Sequence, residues 1–415
     1  MLRKIIFLLL GLTLGLSLQT RAQDRNALWI HGYNGDESTW RDFSFKTSGY
    51  NAFISLPPGY TGYKLNSYRP WTYDTESGVN SFISQIIDRN PGVFQNNMIT
   101  VTHSFGGVTA RHMDRTDATH KLGGIITVGS PLNGAGIASS INSRAFTAFG
   151  VDAVHQLSRG LASSFSSLVA PTTVLRVLEI IADVLVIVKT TPTQSTQEMA
   201  IGSNFITADI NASPTTTPKV SIYGNEVSPV HWNFLKSTTG KNVPTIMTDI
   251  DDIILVASVT YAIIGTVQLF INFLNPSAYL NLWRSYEWLA GHFWIEDSER
   301  QWNVLIGSNI PAPVQCNTYT GFVCSYSNNA NFTNPNCWQT VTSCYGPQML
   351  GKSDGFIPCS SQIGLGSNSW AGVPTVEAFN VNHSNEHDKD NETMQSKFTA
   401  IFRGDYDSYF ITAKR

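Results

Sequence analysis

The sequence predicts an α/β fold, with a mostly parallel sheet, helices on both faces and a large, mostly helical lid or cap inserted into it. Three observations predict this. The apolar run Ala27-Leu28-Trp29-Ile30 reads as a short strand ending at His31-Gly32. A second, Met98-Ile99-Thr100-Val101-Thr102-His103, runs into Ser104-Phe105-Gly106-Gly107 and then into the helix-forming Val108-Thr109-Ala110-Arg111-His112-Met113. A third, Gly124-Ile125-Ile126-Thr127-Val128, ends in Gly129-Ser130-Pro131. Strand, helix and strand in that order build the right-handed parallel unit of a doubly wound sheet.

The remaining elements follow along the chain. Residues 1–22 carry Arg3 and Lys4, an apolar run over 5–18 and the small residues Thr20 and Ala22, which is the layout of a secretory signal peptide. The apolar run is short for a membrane span. The mature chain is therefore expected to be exported, periplasmic or extracellular, with no stable transmembrane segment. A net charge of -3 gives no basic footprint, so no nucleic-acid partner is expected. With only 14% charged and 11% aromatic residues, the chain has the composition of a folded protein.

Segments 51–55 and 64–68 read as short strands, and 78–88 carries Val79, Phe82, Ile83, Ile86 and Ile87 at helical spacing. The core is assigned to 23–135 and 346–415, with the insertion over 136–345. Inside the insertion, 173–188 reads as a helix and 219–224 as a strand of the core sheet. Residues 253–271 carry no charge and read as a buried helix or an apolar lid over the site. Next comes a stretch rich in aromatics, including Trp283, Trp288, Trp294 and Trp302, which suits a core or an apolar ligand. All five cysteines (Cys316, Cys324, Cys337, Cys344, Cys359) lie in the window 316–359, an irregular excursion whose loop at 316–344 is Cys-rich. In an exported chain they predict one or two local disulfides, with pairing left open. A final strand is expected over 375–381, ending at Asn382-His383.

The chemistry-bearing residues sit at the ends of these strands. A serine on a sharp strand-to-helix turn needs small neighbours two before and two after it. Gly106 supplies the second, and Thr102 stands at the first. A serine hydroxyl is a poor nucleophile, so it needs a histidine to take its proton and a carboxylate to hold that histidine. Asp354, in the turn Ser353-Asp354-Gly355, and His383, after the last strand, supply them in the order serine, acid, histidine. Glu226 is the alternative acid and His387 the alternative base. The backbone N–H groups of Tyr33, after His31-Gly32, and of Phe105, directly after Ser104, are the expected oxyanion donors.

The set Ile30-His31-Gly32, Thr102-His103-Ser104-Phe105-Gly106-Gly107, Thr127-Val128-Gly129-Ser130-Pro131, Ser353-Asp354-Gly355 and Asn382-His383 resembles the secreted bacterial triacylglycerol lipases and esterases of the α/β-hydrolase superfamily. The resemblance implies ester hydrolysis through an acyl-enzyme on Ser104, a small-molecule or lipid ester as substrate, and contact with a lipid interface. It covers a little over a third of the chain. Asn385 stands two after His383, where calcium-binding members look to have an aspartate, so no calcium site is carried over and no cofactor is expected.

Two other readings compete. His383-Ser384-Asn385-Glu386-His387 fits the H-x-x-E-H pattern of inverted zinc peptidases, which would need the two histidines on one helical face. A non-catalytic lipid-binding or surface protein on a hydrolase fold is the other, and inertness toward esters would distinguish it.

Overall fold

The computed structural model describes residues 27–33, 35, 39–40, 43, 87–88, 98–116, 122–162, 192–227, 229–240, 242–271, 275–308, 315–321, 339–345 and 351–412. The leader, the strands expected over 51–55 and 64–68, nearly all of the helix over 78–88 and the helix over 173–188 lie outside these residues.

Five parallel strands form the central sheet in the order β1-β2-β3-β4-β7. They are β1 (Ala27–Ile30), β2 (Ile99–His103), β3 (Gly124–Val128), β4 (Lys219–Asn225) and β7 (Thr375–Phe379). The register sets Ile30 beside Thr102, His103 beside Val128, Val128 beside Ile222 and Gly224 beside Ala378. β1, β2 and β3 are buried along their whole length, as strands covered on both faces must be, and this explains their near-continuous apolar runs. The segment expected as a core strand within the insertion is β4, paired between β3 and β7.

Two apolar layers sandwich the sheet. On one face Trp29, Val101, Val128 and Val376 pack with Trp40, Phe43, Phe398 and Phe402. Phe398 and Phe402 come from α9 (Glu392–Arg403), which Asn391 caps by accepting from the Met394 N–H at 3.1 Å. On the other face α1 (Phe105–Thr116) shares a cluster with the insertion through Phe105 and Val108.

The insertion is mostly helical: α2 (Gly136–Asn142), α3 (Ala145–Ala162), α4 (Gln194–Met199), α5 (Val230–Thr239), α6 (Val243–Ile271) and α7 (Pro276–Ile306). A single π-helical turn, Phe205–Ile210, precedes β4. α7 returns the chain to the sheet, where Trp302 packs among Phe146, Phe149 and Phe234. The Trp302 Nε1–H donates to Gly355 O at 2.7 Å, tying the insertion to the turn that carries Asp354.

The uncharged stretch at 253–271 is the C-terminal part of α6, yet it is not a buried helix. Ile254, Ala257 and Tyr261 are buried, whereas Val256, Val259, Ile263 and Ile271 stand 65%, 50%, 58% and 80% exposed. The cysteine window also differs from an irregular excursion, because β5 (Gln315–Gly321) and β6 (Gln339–Tyr345) form an antiparallel pair with Cys316 opposite Cys344. Cys359, at the start of the short α8 (Cys359–Gln362), is a buried free thiol.

Candidate active site

β2 delivers Ser104 at its C-terminal end, and α1 begins at the next residue. Ser104 has φ +52°, a left-handed conformation that costs a non-glycine residue about 1–2 kcal/mol. Its N–H donates to Val128 O at 2.9 Å and its C=O accepts from the Gly107 N–H at 3.0 Å, so the turn is fixed from both sides. Gly106 is required by close approach, since a Cβ there would lie 2.6 Å from His31 O. The unexpected Thr102 is accommodated because Gly107 faces it, and a Cβ on Gly107 would come within 3.1 Å of Thr102 Oγ1. Thr102 Oγ1 itself donates to Ile126 O at 3.2 Å, which satisfies a hydroxyl with no access to water.

The turn after β1 lies against the elbow. A Cβ on Gly32 would meet Ser104 Cβ at 2.6 Å, so Tyr33, one residue on, stands close to the serine. The Phe105 N–H occupies the first helical position, where the helix's own ladder leaves donors unpaired. The partial positive charge of a helix N-terminus adds to it. The turn that carries Tyr33 and the N-terminus of α1 therefore both lie against Ser104.

Asp354 and His383 meet at the same rim. Asp354 is fully buried, and its Oδ1 accepts from the Phe356 and Ile357 N–H groups at 2.8 and 2.6 Å. Its Oδ2 lies 2.7 Å from His383 Nδ1, and its C=O accepts from the His383 N–H at 2.8 Å. The carboxylate thus fixes both the ring and the backbone of the histidine. Phe356 stacks on the His383 ring with centroids 5.3 Å apart. Among the described residues Ser104 Oγ and His383 Nε2 form no hydrogen bond.

This is the α/β-hydrolase fold.

No family model and no curated protein matches the chain. Among solved structures, EstA from Clostridium botulinum is similar over 95% of this chain and 88% of its own, at 12% identity and a TM-score of 0.37. An extracellular α/β-hydrolase from a Paenibacillus species is similar over 48% of this chain and 77% of its own, at 15% identity and a TM-score of 0.25. A haloalkane dehalogenase loop variant from Bradyrhizobium elkanii is similar over 50% and 74%, at 17% identity and a TM-score of 0.27.

The alternative residues fall elsewhere. Glu226 does not reach the His383 ring. Its Oε2 accepts from Asn382 Nδ2 at 3.0 Å, and Asn382 Oδ1 in turn accepts from the Ser384 and Asn385 N–H groups at 3.1 and 3.2 Å. Burial pushes the Glu226 carboxyl above its ordinary range. It braces the turn that carries the histidine. His387 packs edge-on to Trp40 and His103, and burial, with His383 beside it, pushes it down to about 4. His112, on α1, is a core residue 2.7 Å from Asp209.

The zinc-peptidase reading fails on geometry, because residues 383–387 form a turn and not a helix. His103, His383 and Glu386 do bring one ligating atom each within 4.8 Å of one another. The His383 atom facing Glu386, however, is Nδ1, at 3.5 Å, the same nitrogen that Asp354 holds at 2.7 Å. A cation there would have to take the imidazole from its carboxylate, so the donor set does not fit a metal.

Glu386 is the residue whose role sequence reasoning missed. It is fully buried, its Oε1 accepts from the Gly224 N–H at 3.2 Å, and its Oε2 lies 3.1 Å from His103 Nε2. Burial, reinforced by the Asp354 carboxylate, pushes it well above the ordinary range and favours the neutral acid. Burial also lowers His103 well below a normal histidine, with His383 and His387 adding to the effect. A buried Glu386–His103 pair whose uncharged forms are favoured therefore backs the Asp354–His383 dyad. Only its spacing, three residues after His383, hinted at this.

Proposed function

We propose that the protein is an exported serine hydrolase that cleaves carboxylic esters through an acyl-enzyme on Ser104. The observation that carries this reading is the buried Asp354 Oδ2 to His383 Nδ1 contact of 2.7 Å, formed at the strand rim where Ser104 sits on a strained elbow. In this reading His383 Nε2 takes the Ser104 proton as Oγ attacks the ester carbonyl. Asp354 holds Nδ1–H in the required tautomer and stabilises the imidazolium. The Tyr33 and Phe105 N–H groups receive the charge that develops on the carbonyl oxygen. His383 then protonates the leaving alcohol, and a water activated by the same nitrogen releases the acid.

Binding of substrate closes the gap between Ser104 Oγ and His383 Nε2, as catalytic hydrogen bonds often tighten only in the Michaelis complex. Tyr33 and Phe356, half-buried against the insertion's apolar cluster, border the site and favour an apolar acyl or alkyl group. Export follows from the leader, and local disulfides in the 316–344 loop belong to the same reading.

A fluorophosphonate probe tests it. Labelling of the wild-type chain that disappears in Ser104→Ala, together with hydrolysis of p-nitrophenyl esters, supports the serine hydrolase. Absence of labelling, with activity abolished by chelation and restored by zinc, would sink it.

A further inference from the structure

The α6–α7 hairpin carries the largest concentration of exposed apolar side chains on the described chain. Near its tip Ile263, Val267 and Ile271 on α6, and Leu280 and Trp283 on α7, are all at least half exposed. Contiguous apolar surface of this kind marks an interaction site. From Ile253 to Trp283 the chain holds no Asp, Glu, Lys, Arg or His.

Two polar pairs of the hairpin lie between the helices. Asn281 Nδ2 donates to Gln268 Oε1 at 2.9 Å, and Ser258 Oγ donates to Ser285 O at 3.0 Å. The helices approach closely at Gly265, where a Cβ would lie 2.8 Å from Leu282 Cγ and 3.0 Å from Ala278 O. Small residues at the helix contact, polar groups paired inward and apolar groups turned outward are the packing that a hydrocarbon solvent selects. A protein partner would instead be met with charged rim residues, of which there are none between Ile253 and Trp283.

We propose that the tip of the α6–α7 hairpin is a docking element that inserts into the surface of a phospholipid bilayer. It does not cross the bilayer, because α7 brings the chain back to the sheet, where Trp302 bonds Gly355 O. The depth is set by the first charge on α7, Arg284, whose guanidinium lies over the Tyr261 ring at 5.7 Å. From Pro276 to Trp283 the helix rises about 10 Å, within the roughly 15 Å of one leaflet's hydrocarbon. Trp283 then stands at the headgroup boundary, where its ring is favoured. The base of the hairpin is acidic, with Asp249 and Asp252 exposed on α6, so the surface it fits is zwitterionic. This inference does not rest on the catalytic reading, since the hairpin shares none of its residues with the site.

The test is flotation of the full chain carrying Ser104→Ala with phosphatidylcholine vesicles, compared with the same chain bearing Ile263→Ser, Val267→Ser, Ile271→Ser and Trp283→Gln. Both share one N-terminus, so the leader contributes equally. The intact tip is expected to float, and the four substitutions to lower partitioning by at least about tenfold. Circular dichroism checks that the variant stays folded. Adding phosphatidylserine is expected not to strengthen binding. Brominated lipid should quench tryptophan emission less in Trp283→Phe than in the chain that keeps Trp283. Equal flotation of the two chains, no flotation of either, or a requirement for phosphatidylserine would overturn the proposal. So would a dimer in the ultracentrifuge that the four substitutions dissolve while vesicle binding is absent, since the surface would then join two copies.

Discussion

The rim of the sheet and the tip of the hairpin depart from ordinary folding in opposite directions. At the rim His103, Asp354, His383 and Glu386 are buried; at the tip Ile263, Ile271 and Trp283 are exposed. Soluble folds rarely bury charges or expose contiguous apolar surface without a reason. The rim keeps its polar groups by partnering them, as the two backbone donors on Asp354 Oδ1 show. Among the described residues the tip has no such compensation. One region is completed by the fold, and the other, under our proposal, by a bilayer.

Substitutions at the rim should have the largest effects, on rate more than on folding. Ser104→Ala is expected to lower kcat toward p-nitrophenyl esters by about 10⁴-fold or more, and Asp354→Asn by about 10³–10⁴-fold. Their combination should cost little more than Ser104→Ala alone, because the groups act as one unit. If Glu226→Gln cuts the rate more than Asp354→Asn, the acid has been misplaced and the contrast between the two carboxyls breaks.

Below these effects comes the shared core. Phe398→Ala, at a fully buried ring packed on Trp29 and Trp40, should lower unfolding free energy by about 3–5 kcal/mol in a urea titration.

A pH series then isolates His387, whose folded value of about 4 lies below the ordinary 6.5. The unfolded chain takes up this proton first, so the stability present above pH 6.5 is lost as pH falls toward 4, by no more than about 3 kcal/mol. Thermal midpoints of the wild type should therefore fall more between pH 7 and pH 4.5 than those of His387→Gln.

The smallest effect belongs to the hairpin. Val256→Ser should change stability by about 0.5 kcal/mol or less in aqueous buffer, because water already surrounds that side chain. A loss of several kcal/mol would show that the face is covered within the chain.

Much of the rim was legible in the sequence because its chemistry is carried by short segments at strand ends. His31-Gly32, Ser104 with Gly106, and Asp354-Gly355 are each set by local backbone demands that glycine or a turn residue reveals. The sheet was legible for the same reason, since strands buried on both faces read as continuous apolar runs. Glu386 was not, because its neutrality arises from Gly224, His103 and Asp354, which are brought together only by tertiary structure. Thr102 stands where a small residue is expected, and only the tertiary structure sets Gly107 against it. The uncharged run in α6 gave its helical state but not its exposure, because hydropathy alone cannot tell which neighbours a helix has. Its 31-residue partner α7 has no single apolar stripe, and its inward polar pairs with α6 depend on register between the two helices.

Cys359 offers a clock for the opening of this region. Its Sγ–H donates to Gly224 O at 3.1 Å, and burial, with the Asp354 carboxylate nearby, pushes the thiol far above its ordinary range. A thiol so protonated and enclosed reacts with a disulfide reagent only when the segment between β4 and the Asp354 turn separates. The rate of that reaction at neutral pH is therefore a direct reading of how often the acid-bearing edge of the sheet comes apart.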